Sequence, residues 1–212
     1  MSSDAVHAAM LAALGTCREH EAELGQLDAV AGDGDHGSGM VRGFTAASSA
    51  TGELSGPAAS SITAAGEAFA DAAGGASGAL WGVFLQGVGH ELEGANITPA
   101  AVVAALRKGE ARVERLGKSQ PGDKTLLDTM VPFLDALDGS VSSGMSLSAA
   151  WMDALVVARK ATEATASMVA RRGRSAVLGE RSLGTIDSGA RSLLLVLESV
   201  AAVIAENETE PE

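Results

Sequence analysis

The chain has 212 residues, which at roughly 150 residues per domain favours one domain with a core of useful size. Fifteen Lys and Arg against 27 Asp and Glu give a formal net charge of −12, which argues against a nucleic-acid groove or an anchor on an anionic membrane. Four Phe, two Trp, no Tyr and 26 Gly suit close-packed helices better than β-sandwiches, and the lone Cys17 excludes an internal disulfide or a thiolate zinc cage.

In chain order, the hydrophobic periodicity predicts eight helices and no strand. The first covers 4–25, ends near Gly25 and carries Cys17 as a small packed side chain. A turn-forming stretch, 28–39, follows it. The second helix runs from about Gly39 to Ala50. The third starts at Pro57 and stops at Gly74-Gly75, the proline-in, glycine-out asymmetry of helix ends. A fourth spans about 77–92, and Thr98-Pro99 opens a fifth that reaches about Leu116. Thr125 with Asp128 resembles a capping box for a sixth, which contains Pro132 and ends before Gly139. Ser146 or Ser148 caps a long seventh helix to about Arg171. The eighth, about 188–205, aligns Leu193, Leu194, Leu197, Val200, Ala201 and Ile204 on one stripe. Short connections make sequential helices antiparallel, so the expected fold is all-α: a single-domain bundle of eight antiparallel amphipathic helices over 1–205. Residues 206–212 read as an acidic disordered tail. No basic leader and no apolar run of membrane-spanning length stand out, which predicts a cytoplasmic protein with no membrane and no nucleic-acid partner.

Two loops are long for such a bundle, 28–39 and about 172–187, and function concentrates in such loops. In the first, Gly32, Gly34 and Gly37 match G-x-G-x-x-G, but no strand precedes them and two aspartates would face a pyrophosphate unneutralised. An EF-hand fails because the twelfth position from Asp28 or Asp33 is Gly39 or Phe44 rather than Glu. Gly117-Lys118-Ser119 hints at a Walker A loop, but Arg112 stands where its first glycine belongs. What remains is a hard-cation site: Asp28, Asp33 and Asp35 offer three carboxylates and no thiol, a set suited to Mg²⁺ or Mn²⁺, with room for two ions. The plainer alternative is a solvated Asp-Gly turn. His36 either donates to a ligand or caps the next helix. Gly74-Gly75-Ala76-Ser77-Gly78 opens a helix whose free N–H groups could meet an anion, or else merely ends the helix before it. Arg171, Arg172, Arg174 and Arg181 gather at the second loop, the last two among glycines. The residues themselves therefore reach an all-helical metal-carboxylate site for a nucleotide or phosphate, suited to phosphoryl transfer.

Four blocks carry a resemblance across nearly the whole chain: LDAVAGDGDHGSGM (27–40), GGASGALWGVF (74–84), PGDKTLLD (121–128) and GRSAVLGERSLGTIDSGA (173–190). Together they resemble the dihydroxyacetone kinase L subunit, the DhaL or DAK2-type nucleotide-binding domain. That resemblance implies a barrel of eight antiparallel helices with ADP or ATP at one mouth. It implies that Asp28, Asp33 and Asp35 hold two Mg²⁺ ions on the phosphates, and that His36, Gly37, Ser38, Gly39, Ser77 and Gly78 contact the nucleotide. Gly117 and Leu126 match positions near the base, Arg174 matches the nucleotide-contacting arginine, and Asp187, Ser188 and Gly189 match the closing loop. Val177, Thr185 and Ser188 depart from the usual residues of that last block.

The resemblance further implies a phosphoryl transfer from the magnesium nucleotide to dihydroxyacetone held on a separate DhaK-type ketose-binding subunit. A phosphotransferase-system arrangement, with a DhaM-type phospho-carrier, is the first expectation, and a homodimer stays open. The alternatives are an ATP-dependent kinase subunit for another short ketose such as erythrulose, or a non-catalytic metal-binding helical adaptor. A fatty-acid-phosphorylating relative ranks last, because that branch tends to show Pro-Asp-Gly-Asp-Thr-Gly where this chain has Gly-Asp-Gly-Asp-His-Gly.

Overall fold

Ser2, Thr98 and Ser146 each stand in extended backbone immediately before a helix. Each side-chain oxygen accepts the N–H three residues on, from Ala5, Ala101 and Ala149 at 3.2 to 3.3 Å. These caps satisfy N–H groups that the first helical turn leaves unpaired, and two of them are the starts that Thr98-Pro99 and Ser146 announce. The computed structural model describes residues 2–209, with the side chains of Arg174 and Thr209 outside that description. Over those residues the helices are α1 (Ser3–Glu19), α2 (Glu21–Ala29), α3 (His36–Gly52), α4 (Ala58–Ala73), α5 (Gly75–Leu92), α6 (Pro99–Gly117), α7 (Leu127–Ser142), α8 (Leu147–Ala164) and α9 (Ser188–Thr209). Two 3₁₀ segments, Thr165–Ser167 and Arg174–Ser182, lie between α8 and α9. Among the described residues the sole strand-like pairing is an isolated bridge between Ser2 and Pro57.

Eight of these helices close into a ring. Each of α3 to α8 packs on the helix that follows it, α9 returns to α1, and α1 reaches over α2 to pack on α3. The expected eight-helix barrel is thus present, and α2 is an addition wedged against α3 and α9. It arises because the predicted first helix breaks at His20, where φ −104° and ψ 12° leave the helical region. Gly25, the expected stop, lies inside α2 instead.

Other boundaries differ too: α3 begins at His36 rather than near Gly39, and three helix ends move. The sixth predicted helix, α7, continues through Gly139 to Ser142, because a helix-interior glycine costs only about 1 kcal/mol and packing against α6 and α8 offsets it. The seventh, α8, stops at Ala164 rather than near Arg171. Thr162, Thr165 and Ser167 turn their hydroxyls back onto the carbonyls of Ala158, Thr162 and Ala164, and such bonds compete with the helix ladder. Finally, α9 runs to Thr209, so residues 206–209 of the expected tail are helical. Glu208 accepts from the Ser148 backbone N–H at 3.1 Å and from its hydroxyl, capping the start of α8. Residues 210–212 lie outside the described part.

All six aromatic rings point into the barrel in two groups. Phe44 meets Phe69 and Trp81 with centroids 5.0 and 5.5 Å apart, Trp81 meets Phe84 at 6.0 Å, and Phe133 meets Trp151 at 4.9 Å. Most of these contacts are edge-on, the arrangement that ring quadrupoles favour. A cavity of about 300 Å³, lined by Val6, Phe84, Val102, Trp151, Leu193 and Ile204 among others, remains inside the barrel near the starts of α6 and α8. By length and composition α9 could cross a membrane: an 18-residue window within Ser188–Glu208 has a mean hydropathy of 1.6. Arg191 and Glu198 interrupt it, so no unbroken apolar run of that length stands in the sequence. Its apolar stripe is spent on the ring: Leu193, Leu194 and Leu197 are buried in the core.

Candidate functional site

Because neighbours in the ring alternate in direction, the N-termini of α3, α5, α7 and α9 share one mouth. The Gly-Asp loop lies there, between α2 and α3. Ala31 and Gly32 both donate their N–H groups to the Asp28 carbonyl, at 2.9 and 2.5 Å, which curls the chain around the end of α2. Gly34, with φ +78°, then points its own N–H at Asp28 Oδ2 at 2.9 Å. A Cβ on Gly32 would come within 2.7 Å of Asp28 Oδ1, so only glycine leaves that carboxylate its place. The outcome is a cluster in which one oxygen from each of Asp28, Asp33 and Asp35 lies within 4.8 Å of the others. Asp28 is half-buried, and the other two are exposed. Three carboxylates this close repel one another unless a cation sits among them, and an all-oxygen set on a glycine-rich turn fits a small divalent ion such as Mg²⁺.

His36, the first residue of α3, ties three of the helix starts together. Its Nδ1 lies 3.1 Å from Ser77 Oγ on α5, and its Nε2 lies 2.9 Å from Ser192 Oγ on α9. Ser192 commits its hydroxyl proton to the Gly189 carbonyl at 3.0 Å. Nε2 therefore carries the ring proton, and Nδ1 accepts from Ser77. Burial holds the imidazole below its ordinary pKa range, against the opposing pull of Asp28 and Asp35. Gly37, Ser38 and Gly39 form the first turn of α3, and Ser77 and Gly78 that of α5. The positive ends of these helix dipoles favour an anion at this mouth.

Two arginines that the sequence reading passed over brace this wall. Arg42 donates to the carbonyls of Ala72 and Ala73 at 3.4 and 3.0 Å and to Ser38 Oγ at 3.1 Å, closing the end of α4 where the chain turns into α5. Arg191 on α9 donates to both oxygens of Glu23, at 2.7 and 3.4 Å, and Glu23 also meets His20 Nδ1 at 2.6 Å. These bonds fasten α2, and with it Asp28, to the start of α9. The Arg191 hydrogen bond holds the Glu23 carboxyl below its usual range.

The opposite wall comes from the α6–α7 connection and the segment before α9. Asp128 accepts N–H groups from Gly122 and Thr125 at 2.5 and 2.7 Å, which is half of the expected capping box; Thr125 Oγ1 accepts the Leu127 N–H at 3.2 Å rather than that of Asp128, and Leu126 is the residue that caps α7. Asp187 is the cap of α9. Its Oδ2 accepts from Ala190 N–H at 2.8 Å, its own N–H donates to Thr165 Oγ1 at 3.0 Å, and burial pushes its carboxyl up to about 6. Asp187 and Ser188 line a crevice that also contains Asp28, Val30, Lys124 and Ser175. A side chain on Gly189 would meet Asp187 and Leu126, so Leu126 lies against the start of α9. Gly117 stands at the end of α6, beside Leu80 and Ser119. The Arg174 side chain lies outside the described residues. Of the other loop arginines, Arg172 is engaged by Asp123 Oδ2 at 3.2 Å, and Arg171 and Arg181 are exposed.

The family model of the DAK2 domain matches residues 30–202. The chain is 42% identical over 208 residues to the L-erythrulose kinase of Pectobacterium atrosepticum, covering 96% of this chain but only 35% of that protein. It thus spans about a third of that relative's length. Against the ADP-binding subunit DhaL of the PEP-dependent dihydroxyacetone kinase of Escherichia coli, identity is 33% over 182 residues, covering 85% of this chain and 87% of the subunit. The dihydroxyacetone kinase from C. freundii in complex with AMP-PNP and Mg²⁺ superimposes with a TM-score of 0.69 at 29% identity, over 93% of this chain and 33% of that one. An eight-helix ring with a Gly-Asp loop at the mouth where its helix starts converge, matched over 30–202 by that model, belongs to the DAK2 domain family.

Proposed function

We propose that the chain binds a magnesium nucleotide at the His36 mouth and passes a phosphoryl group from it to a short-chain ketose held on a separate DhaK-type ketose-binding domain. The observation that carries this reading is the convergence of three carboxylate oxygens within 4.8 Å beside the starts of helices joined through His36. Asp28, Asp33 and Asp35 would hold one or two Mg²⁺ ions. When bound, the metal neutralises and bridges phosphate oxygens, which is most of what phosphoryl transfer requires. The chain's own residues supply the rest. Backbone N–H groups at Gly37, Ser38 and Ser77 would face the phosphates, Gly39 and Gly78, whose N–H groups go to the Asp35 and Gly74 carbonyls, would give them room, and Arg174 would add positive charge. Gly117 and Leu126 border the base, and Asp187, Ser188 and Gly189 close over it.

The acceptor we favour is a tetrulose such as erythrulose, with ATP as donor. The support is the 42% identity to the L-erythrulose kinase, against 33% to the PEP-dependent E. coli subunit. The second reading keeps dihydroxyacetone as acceptor and a DhaM-type phospho-carrier as the source of the phosphoryl group, with ADP retained. The cytoplasm, where such nucleotides are held, is the compartment that suits this reading. Calorimetric titration with Mg-ADP and Mg-ATP tests the site: binding is expected for the native chain and lost in Asp33→Asn and Asp35→Asn. Unchanged affinity in folded variants would overturn the reading. Mass spectrometry of the purified protein separates the donors, since retained ADP points to the carrier and a site that fills reversibly with ATP points to the direct kinase.

A further inference from the structure

We infer that Lys124 is a positioning residue, which fixes the segment 168–183 as one wall of the nucleotide site; this rests on the reading above. In an acidic chain whose other lysines lie on the surface, Lys124 is 5% exposed. Its backbone adopts φ +61°, a left-handed conformation that residues with a Cβ disfavour. Both the buried ammonium and the strained backbone are unfavourable in themselves, so the structure around them must supply compensating contacts. It does so through two main-chain carbonyls. Nζ donates to Met168 O at 3.2 Å and to Ser182 O. Met168 precedes the 3₁₀ segment Arg174–Ser182 and Ser182 ends it. Burial disfavours the ammonium, and the Asp187 carboxyl opposite favours it.

The neighbouring residue completes the attachment. Asp123 accepts the Arg171 N–H on its carbonyl at 3.0 Å and the Arg172 guanidinium on its carboxylate at 3.2 Å. Within the segment, Ala170 N–H donates to Ser182 Oγ at 2.9 Å, and Gly184 N–H donates to Ala166 O at 2.8 Å. The α6–α7 connection therefore grips the segment at both ends, and the Lys124 side chain spans it. Lys124, Ser175, Ser182, Thr185 and Asp187 then line the same crevice as Asp28. A donor-only side chain with this reach suits a pair of carbonyls, and a shorter or apolar one leaves both unpaired. In the absence of Lys124 the wall facing Asp28 loses its register, although Asp28, Asp33 and Asp35 keep theirs through α2 and Gly34.

The test compares Lys124→Met and Lys124→Arg with the native chain, using Mn²⁺ binding by electron paramagnetic resonance, Mg-ADP binding by calorimetry, and trypsin cleavage after Arg172 and Arg181. K124M is expected to weaken Mg-ADP binding at least tenfold, to leave Mn²⁺ affinity within twofold, and to accelerate cleavage in the segment at least tenfold. K124R, which can still donate to both carbonyls, is expected to restore most of both losses. A folded K124M with native nucleotide affinity and native cleavage overturns the inference, as does parallel loss of metal and nucleotide binding, which would mark a general defect of the fold. If K124M does not fold, Lys124→Gln, which keeps one donor group, carries the same comparison. If the native chain binds no nucleotide, the proposed function fails, while a K124M cleavage rate equal to the native one would still count separately against the positioning role.

Discussion

His36 and Ser192, 156 residues apart in the chain, are joined across the barrel mouth by a 2.9 Å hydrogen bond in which the ring Nε2–H is the donor. The same ring accepts from Ser77, so one imidazole sets the spacing of α3, α5 and α9. His36→Ala removes both bonds and leaves a buried hydroxyl without its partner, which is expected to cost about 2 to 3 kcal/mol. Ser192→Ala, which takes one acceptor from the ring, is expected to cost about 1 kcal/mol. Urea denaturation of both variants checks the values and their order; equal or negligible losses would mean that the mouth is held by other contacts.

Gly32→Ala places a methyl 2.7 Å from Asp28 Oδ1. The carboxylate has to move, and the loop then loses one of its three clustered oxygens. Metal affinity is expected to fall by at least tenfold, about 1.4 kcal/mol, with the helical content unchanged. Mn²⁺ titration with circular dichroism on the same samples reads both, and native affinity would show that Asp28 does not ligate.

Asp187 makes stability depend on pH. Burial raises its folded-state pKa from 3.8 to about 6, so the unfolded chain gives up this proton first. The contribution of the group is fully present below about pH 3.8 and is lost as pH rises through about 6. Asp187→Asn keeps an oxygen for the Ala190 N–H and removes the titration. Measured without metal, its stability relative to the native chain should improve by up to about 3 kcal/mol between pH 4 and pH 7. A difference that stays flat over that range would contradict the burial of this charge.

Cys17 has no exposed surface, and burial pushes its thiol up to about 12. Because the thiolate is the reactive form, an aromatic disulfide reagent is expected to modify it only when α1 leaves the ring. Labelling at neutral pH should therefore follow the opening free energy across a urea series. Rapid labelling of the native chain would show that α1 opens by itself.

The helices were legible because their amphipathic stripes and caps are local. Thr98-Pro99, Ser146 and the Leu193–Ile204 stripe each state a boundary or a face within a few residues. The break at His20 was not, since neither glycine nor proline marks it and the helix is interrupted there only to let α2 pack on α3 and α9. The early end of α8 follows from three hydroxyls folding back on the backbone, a preference that side-chain periodicity does not register. In the site, Asp28, Asp33 and Asp35 were readable from their spacing with glycine. Arg42, Lys124, Glu23 and Arg191 were not, because the bonds that tie separate elements together, Arg42 to Ala72, Lys124 to Met168 and Arg191 to Glu23, join residues 30, 44 and 168 positions apart. The one available signal was a lysine between Asp123 and Thr125 in a turn beside Gly122, an unusual place for a charge to be buried.

The closure of α9 onto α1 has a kinetic meaning. Every other lateral contact in the ring joins helices that are consecutive or separated only by the short α2, and all of those pairs but α8 and α9, which residues 165–187 separate, can form as local hairpins with little loop entropy to overcome. The seam alone demands that the two halves of an almost complete barrel meet. Chain collapse can therefore run far ahead of the final docking step, and substitutions along the seam should alter the refolding rate differently from those between sequential neighbours. The docking of α9 that finishes the barrel also carries Ser192 to His36 on α3, so that this mouth is assembled only when the fold is complete.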